Sequence, residues 1–502
     1  MSEPPTAATG IVADRRLHPT TLVSRTLRAI PEAAGGMAAY AALIARADAS
    51  QIVFLVMVAL ALAALIAFLG WWRFRYGVGT SEIVIESGVI RRRRRVIPFE
   101  RVQDIAIEQR LLARLFGTAH VRIETGGAAA DEGHLDSISL ADAHGLRDHI
   151  RGSHVVTDAA GGAASSSPAA EPMLFEMGFG RVLYSGLFNF SLVFVAAIFA
   201  VLQNVDEFGL WRPKDLPPDM VERVGSAWLA ASLALGFAVL LLGFVAGVVR
   251  TLARDYGYKL TRAPNGFRRR RGLATLSEAV IPIRRIQVAR LGNGLVMRAL
   301  GWHRLDFQTL GADPKERGAQ VAAPFARIDE VRPILAEAGY PDEREAGEWR
   351  RGPVLSFVRR GLAPLLAGLA MVAVALALEP LNFIAAAVLL LLAALAPLRW
   401  HRHRHALGGR AFYVRSGVLN HSIRIMPYAN VQAIEVTRGP VQRLLGLATV
   451  RVDTAGAGAG GVRAVDLAAG DAAALAGRLL DLFNEHRRRR KDARGTGSVA
   501  VS

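Results

Sequence analysis

The stretch Gly88-Val89-Ile90-Arg91-Arg92-Arg93-Arg94-Arg95-Val96-Ile97-Pro98-Phe99-Glu100-Arg101-Val102-Gln103 decides the fold, because its skeleton returns twice further along the chain. The second copy keeps Gly272, Pro282 and Gln287, and the third keeps Gly417, Pro427 and Gln432. Ten residues separate glycine from proline each time. Nineteen more lead to a second glycine (Gly117, Gly301, Gly446), and eight beyond that to a threonine (Thr125, Thr309, Thr454). Arginine stands 16 residues after each proline, at Arg114, Arg298 and Arg443. Three gapless copies mean that one supersecondary unit is used three times.

Within a copy, Ile83-Val84-Ile85-Glu86 and His120-Val121-Arg122-Ile123-Glu124 alternate as half-buried strands do. Gly88 punctuates a hairpin turn, and Pro98 sits at a strand end, where its missing N–H breaks no ladder. Leu111 to Phe116 predicts a short amphipathic helix closed by Gly117. Two strands follow, 120–124 and 135–140, and then a helix, 141–150 in the first copy and 472–483 in the third. The unit is a β-rich domain with a C-terminal helix.

The surrounding sequence is greasy and basic at once: 52% of the 502 residues are hydrophobic, yet 61 Lys+Arg face 43 Asp+Glu, a net charge of +18. A bilayer core about 30 Å thick needs roughly 20 apolar residues in a helix. Segments 51–72, 182–203 and 225–249 are long and uncharged. Segments 361–378 and 381–398 are shorter, and only Glu379 and Pro380 separate them, which reads as a tight hairpin. Segment 31–45 contains Glu32, Gly35 and Gly36; it is read as a span because the others come in pairs, the alternative being a surface helix. Arg73, Arg75, Arg181, Arg250, Arg254, Arg359, Arg360, Arg399, Arg402 and Arg404 crowd one set of span ends. The positive-inside rule then puts both termini and every globular segment in the cytoplasm. The first thirty residues lack the apolar core of a cleavable signal peptide, so the first span is expected to direct insertion.

The Gly-x9-Pro-x4-Gln core, the Leu-Phe-Gly or Leu-Leu-Gly element, and Arg16-Leu17-His18-Pro19 ahead of the first apolar segment carry a resemblance to the bacterial pleckstrin-homology-like family bPH2. The resemblance implies PH-like barrels capped by a helix in a bacterial cytoplasmic membrane protein, without fixing a ligand. The expected fold class is an α+β membrane protein: three transmembrane helical hairpins, about six helices, alternating with three β-rich PH-like domains. In residues this gives an N-terminal segment 1–30, hairpin 31–72, domain 73–155, linker 156–180, hairpin 181–250, domain 251–340, linker 341–360, hairpin 361–398, domain 399–485, and a disordered basic tail 486–502.

Two basic runs are the candidate sites: Arg91, Arg92, Arg93, Arg94 and Arg95 after Gly88, and Arg268, Arg269, Arg270 and Arg271 before Gly272. Near an anionic leaflet each arginine contributes about 1 kcal/mol of attraction, so these runs either bind lipid headgroups or form solvated faces that enforce topology. The third copy has Leu419-Asn420-His421-Ser422 where the first has its run. His401, His403 and His405 alternate with Arg402 and Arg404, whose charge opposes a metal ion, so a juxtamembrane anchor is the expected role. Residues 158–167, rich in Ala, Gly and Ser, read as a flexible linker, and the glycine tract 455–461 as a hairpin loop rather than a phosphate cradle. Cysteine is absent, and no P-loop, His-Glu-x-x-His or Gly-x-Ser-x-Gly motif occurs. No metal, cofactor or catalytic residue is expected. The expectation is a non-enzymatic membrane scaffold for envelope maintenance or stress resistance. Its partners would be phospholipids and other membrane or cytoplasmic proteins, with nucleic acid not expected; the alternative is a transporter or export accessory built on the helices.

Overall fold

The computed structural model describes residues 14–21, 49–88, 92–125, 133–158, 171–189, 218–310, 319–377, 382–455 and 461–498. Segment 31–45 and Arg91 lie outside them. The chain divides into two compact units, one of Met1–Glu171, Leu252–Lys259 and Arg268–Val280, the other of Pro172–Thr251, Leu260–Phe267 and Ile281–Ser502.

In the first unit, β1 (Arg15–Arg16) precedes helix α1 (Ala49–Arg73), and β2 (Arg75–Val78), β3 (Glu82–Ser87) and β4 (Arg93–Pro98) follow it. These strands make one antiparallel sheet in that order. Pro98, with φ −61°, is pre-set to start the one-turn 3-10 helix Phe99–Arg101 that turns the chain into a second sheet. That sheet holds β5 (Val102–Arg110), then α2 (Leu111–Leu115), β6 (Thr118–Thr125) and β7 (Gly133–Ser139), and α3 (Leu140–Asp158) follows. Ile83, Ile97, Ile123 and Leu135 fill the core, and Leu146 and Ile150 of α3 join it.

Within the segment 1–30 read as a separate N-terminal stretch, Arg15–Arg16 forms the first strand of this domain. Leu17 is buried in the core, the Trp71 indole N–H donates to the Leu17 carbonyl at 2.9 Å, and the His18 N–H donates to the Ser137 carbonyl at 2.9 Å. The apolar helix α1 is therefore an insertion between strands one and two.

The second copy repeats the plan. Strand β8 (Met173–Glu176) is followed by α4 (Phe179–Gly186) and α5 (Pro218–Asp255), and then by β9 (Lys259–Ala263), β10 (Gly266–Arg271) and β11 (Thr275–Pro282). The rest is β12 (Ile286–Gly294), α6 (Leu295–Ala299), β13 (His303–Thr309), β14 (Ala319–Ala326) and α7 (Ile328–Glu337). In the second unit the Arg262 N–H donates to the Pro172 carbonyl at 2.9 Å, beside the start of β8. The expected linker 156–180 thus contains the end of α3, all of β8 and the start of α4.

In the third copy Arg350 and His405 exchange backbone hydrogen bonds of 2.8 and 2.9 Å, and Ala346 bridges to Gly408, so the expected linker 341–360 supplies the edge pairing. Between them come α8 (Leu355–Ala377), α9 (Asn382–Ala394) and α10 (Ala396–Arg402). After them run β15 (Arg404–Leu407), β16 (Ala411–Ser416), β17 (Asn420–Pro427), β18 (Val431–Thr437), α11 (Pro440–Leu444), β19 (Leu447–Thr454), β20 (Val462–Ala468) and α12 (Ala469–Ser498). The tail expected to be disordered continues α12 as helix to Ser498.

Among the described residues two helices are long and apolar enough to cross a membrane, Gly236–Asp255 with mean hydropathy 2.0 and Leu355–Val374 with 1.6. Helix α1 also turns Leu62, Leu65, Ile66 and Phe68 outward. The expected span 381–398 is not one helix: a turn at Leu395 divides α9 from α10, with Pro397 in the first turn of the latter. The expected span 182–203 begins in α4, which ends at Gly186; residues 190–203 lie outside the described set. Glycines let paired helices approach closely, since a Cβ on Gly361 would stand 3.2 Å from Ala396 and one on Gly186 2.8 Å from the Val248 backbone.

Two junctions join the copies edge to edge. In the first unit β5 pairs antiparallel with β11, Arg110 facing Thr275 and Ile107 facing Glu278. In the second unit β12 pairs antiparallel with β17, Gly294 facing Asn420 and Ala289 facing Ile425. The register is the same both times: the twelfth residue after one proline faces the seventh before the next.

The recurrent glycines are explained by backbone angle. Gly88, Gly272 and Gly417 have φ of 103°, 113° and 95°, and Gly117, Gly301 and Gly446 have 63°, 72° and 65°, all in the left-handed region. At Gly417 a Cβ would also lie 1.9 Å from the Asn420 carbonyl oxygen. Gly417→Ala is therefore expected to destabilise the protein by about 1–3 kcal/mol. Gly477→Ala, mid-helix in α12 with nothing within 4 Å of the new Cβ, should stabilise it by about 0.5–1 kcal/mol. Thermal unfolding of the detergent-solubilised full chain checks both signs.

Candidate anion-binding site at the base of the third helix pair

The site starts from one buried carboxylate. Asp466 on β20 is fully buried and holds φ 61°, a left-handed angle that aspartate tolerates better than most residues; Ser137 stands at the equivalent position of the first copy with φ 53°. A buried carboxylate must be paired. Its Oδ2 accepts from Arg359 Nη2 at 2.8 Å and from Arg360 Nε at 3.0 Å, and its Oδ1 accepts from Gln442 Nε2 at 2.7 Å. Burial alone would raise the Asp466 pKa, but the hydrogen bonds from Arg359, Gln442 and Arg360 outweigh it and hold the carboxyl below its usual range. The clamp fixes the first turns of α8 to β20.

Around it opens a cavity of about 510 Å³ lined by Arg359, Arg360, Arg399, His403, Arg424 and Arg463, among others. Five arginines line it, and its lining includes no carboxylate. Arg359 and Arg360 are engaged by Asp466, whereas among the described residues Arg399, Arg424 and Arg463 have no carboxylate partner. The Arg424 Nη1 reaches only the Gly461 carbonyl, at 3.3 Å. Burial, then the charges of Arg290 and Arg463, lowers the Arg424 pKa, so the cation is held in surroundings that an anion would relieve. The cavity sits where α8 and α10 meet the domain, because Arg359 and Arg360 belong to α8 and Arg399 to α10.

His403 lines the same cavity as a neutral ring. Its Nε2 accepts the Val465 N–H at 3.0 Å, which leaves the ring proton on Nδ1. Burial, with Arg360 next to it, pushes its pKa down to about 3, and burial holds His405 at about 4. These two histidines are packed domain residues, not the juxtamembrane anchor that their alternation with arginine suggested. No cluster of potential metal ligands occurs among the described residues.

The two basic runs named from the sequence stand apart from this cavity. Arg92, just before the outer strand β4, and Arg93, Arg94 and Arg95 on it are exposed, with Arg94 3.7 Å from Glu86. The second run is largely spent inside the first unit: Arg268 pairs with Glu171 at 2.9 Å, Arg271 with the buried Asp255 at 3.3 Å, Arg269 is buried, and Arg270 is exposed. Arg359, Arg360 and Arg399 were legible as span flanks, but Arg424, Arg463 and Asp466 carry no motif. The one available signal was an aspartate inside the alternating strand Val462-Arg463-Ala464-Val465-Asp466-Leu467.

Tandem β-domains, each completed across an inserted apolar helical segment and capped by a helix, define a membrane-associated PH-like repeat protein. The family model for the bacterial PH domain, bPH_2, matches residues 28–154, 192–339 and 361–483, and the chain belongs to that family. It is 21% identical over 257 residues to the UPF0699 transmembrane protein YdbT of Bacillus subtilis (strain 168), a match covering 49% of this chain and 52% of that protein, so the chain spans about half the length of this curated relative. No solved structure matches it.

Asp466→Asn should cost about 3–5 kcal/mol, because it strands two arginines on one lost charge; chemical unfolding followed by tryptophan fluorescence measures it. Acid should act in two stages. His403 has its folded pKa depressed from 6.5 to about 3, so the stability it confers is complete above pH 6.5 and is lost as pH falls toward 3. Asp466, also depressed, loses its contribution lower still, below the unfolded carboxyl range. His403→Gln, which keeps an acceptor for Val465, should flatten the dependence of Tm on pH in the upper stage only.

Proposed function

We propose that this chain is a non-enzymatic, multi-pass protein of the bacterial cytoplasmic membrane whose PH-like domains hold anionic phospholipid headgroups on the cytoplasmic side. It would act as a scaffold that presents these domains to other envelope proteins. The observation that supports this most is the arginine cavity of the third copy. It takes a phosphate's charge with Arg399, Arg424 and Arg463, while Asp466 neutralises part of the field of Arg359 and Arg360. Its place at the base of α8 and α10 suits headgroup depth, since arginines near helix ends reach the interface.

A second feature agrees. The short helix before each recurrent glycine exposes apolar side chains: two residues before the glycine Leu115 is 78% exposed and Leu444 86%, and the second copy, with Ala299 at that place, exposes Leu295 (50%) and Leu300 (43%) instead. Single exposed leucines are ordinary, but exposed leucine on the short helix of every copy suits shallow insertion among headgroups. In this reading six helices form three hairpins with both termini inside, and the even number keeps all three domains on one face.

The test is native mass spectrometry of the full chain released from nanodiscs of mixed phosphatidylglycerol and phosphatidylcholine. The wild type should retain phosphatidylglycerol preferentially. Arg424→Gln with Arg463→Gln should lower that retention about tenfold or more, at about 1 kcal/mol per arginine, with Tm nearly unchanged. Equal retention by the double variant would overturn the reading.

A further inference from the structure

The sheet edges that join the copies come in two kinds, and among the described residues each kind is left open once. The edge offered by β5 and β12 is filled by β11 and β17. The third strand of this kind, β18, is the outer strand of the sheet β18-β19-β20, and the first strand of the other kind, β4, is the outer strand of the sheet β1-β2-β3-β4. Unpaired strand edges are templates for another strand. We propose that β18 of one molecule takes β4 of a second copy of this chain, continuing between molecules the register that joins the copies within one.

Burial supports this occupant. The ninth residue after the proline is buried where a junction exists, as Ile107 at 4% exposure and Leu291 at 4%, but in β18 it is Val436 at 40%. On the other side, Ile425 is 0% exposed at its junction, whereas the equivalent Val96 on β4 is 46% exposed. Carried over, the shared register sets Val96 opposite Ile434, Arg95 opposite Glu435 and Arg94 opposite Val436. It therefore covers both exposed valines and gives Glu435, which has no ion-pair partner among the described residues, an arginine. The arginine run then leads into the strand of its kind whose outer edge no other strand covers among the described residues. The edges differ, so the contact is heterologous and adds molecules head to tail.

The chain has no cysteine, which makes the test direct. Full-length Val96→Cys and Ile434→Cys molecules are co-reconstituted in one vesicle population and exposed to a mild oxidant. Residues directly opposite on paired strands stand about 4.5–5.5 Å apart at Cβ, within reach of a disulfide after small shifts. Cross-linked dimer is expected from the mixture and from neither variant alone. Arg95→Glu on the Val96→Cys chain should cut the yield about tenfold, as a like-charge pair does, and Glu435→Arg on the other chain should restore it. No cross-link in the mixture overturns the proposal. So does a yield that Arg95→Glu leaves unchanged or raises, which would mean that the arginines only keep the edge of β4 from pairing.

Discussion

Every backbone N–H and C=O removed from water must find a partner, and in this chain that constraint is met edge to edge. A seven-strand domain of two sheets has outer strands to cover. The repeat covers them with its own next copy, β5 by β11 and β12 by β17, at one register. A slip by one residue would turn the whole apolar set of a strand to the wrong face, so the fixed spacing between glycine and proline measures the pairing as well as the turn. The proline starts the corner helix and the glycine closes the hairpin, and together they set which residues meet across each junction. The equal intervals in the sequence are thus a constraint on assembly between copies.

The second constraint is charge. Asp466 would be costly to bury alone, and it is tolerated because Arg359, Arg360 and Gln442 converge on it. Two of those partners belong to α8, so the carboxylate locks a helix end to a strand end. This leaves a cavity whose remaining arginines have no carboxylate partner among the described residues, Arg424 half-buried and Arg399 and Arg463 exposed. His403 takes part by staying neutral: its accepting nitrogen is occupied by Val465, so it lines the cavity without adding charge.

Much of this could be read from residues in order. The glycines at positive φ, the corner prolines, the strand alternation and the long apolar segments at 51–72, 225–249 and 361–378 all follow from local rules that act over a few residues. What was hidden depends on pairs far apart in sequence. Nothing near Arg15 and Arg16 says that they pair with Tyr76 and Arg75 across an inserted helix. Nothing in the dense run Arg268 to Arg271 says that Glu171 and Asp255 neutralise it, while the scattered Arg399, Arg424 and Arg463 converge on one cavity. Runs of charge catch the eye in a sequence, but a site is made by what the fold leaves uncompensated. The break at Leu395 and the helix continuing through the basic C-terminal residues follow from the same limitation, since composition marks polarity better than it marks helix ends.

The insertion of apolar helix between the first and second strands of each domain has a consequence for biogenesis. In the third copy Arg350 and His405 can bond only after α8, α9 and α10 have brought the chain back to the domain it left. Completion of the domain therefore depends on the path of its helices: a chain that fails to return leaves the domain one strand short, with raw edges and an open core. Such a molecule would be conspicuous to proteases that recognise unfinished structure, so the state of the helical insertion would be legible from the globular part alone.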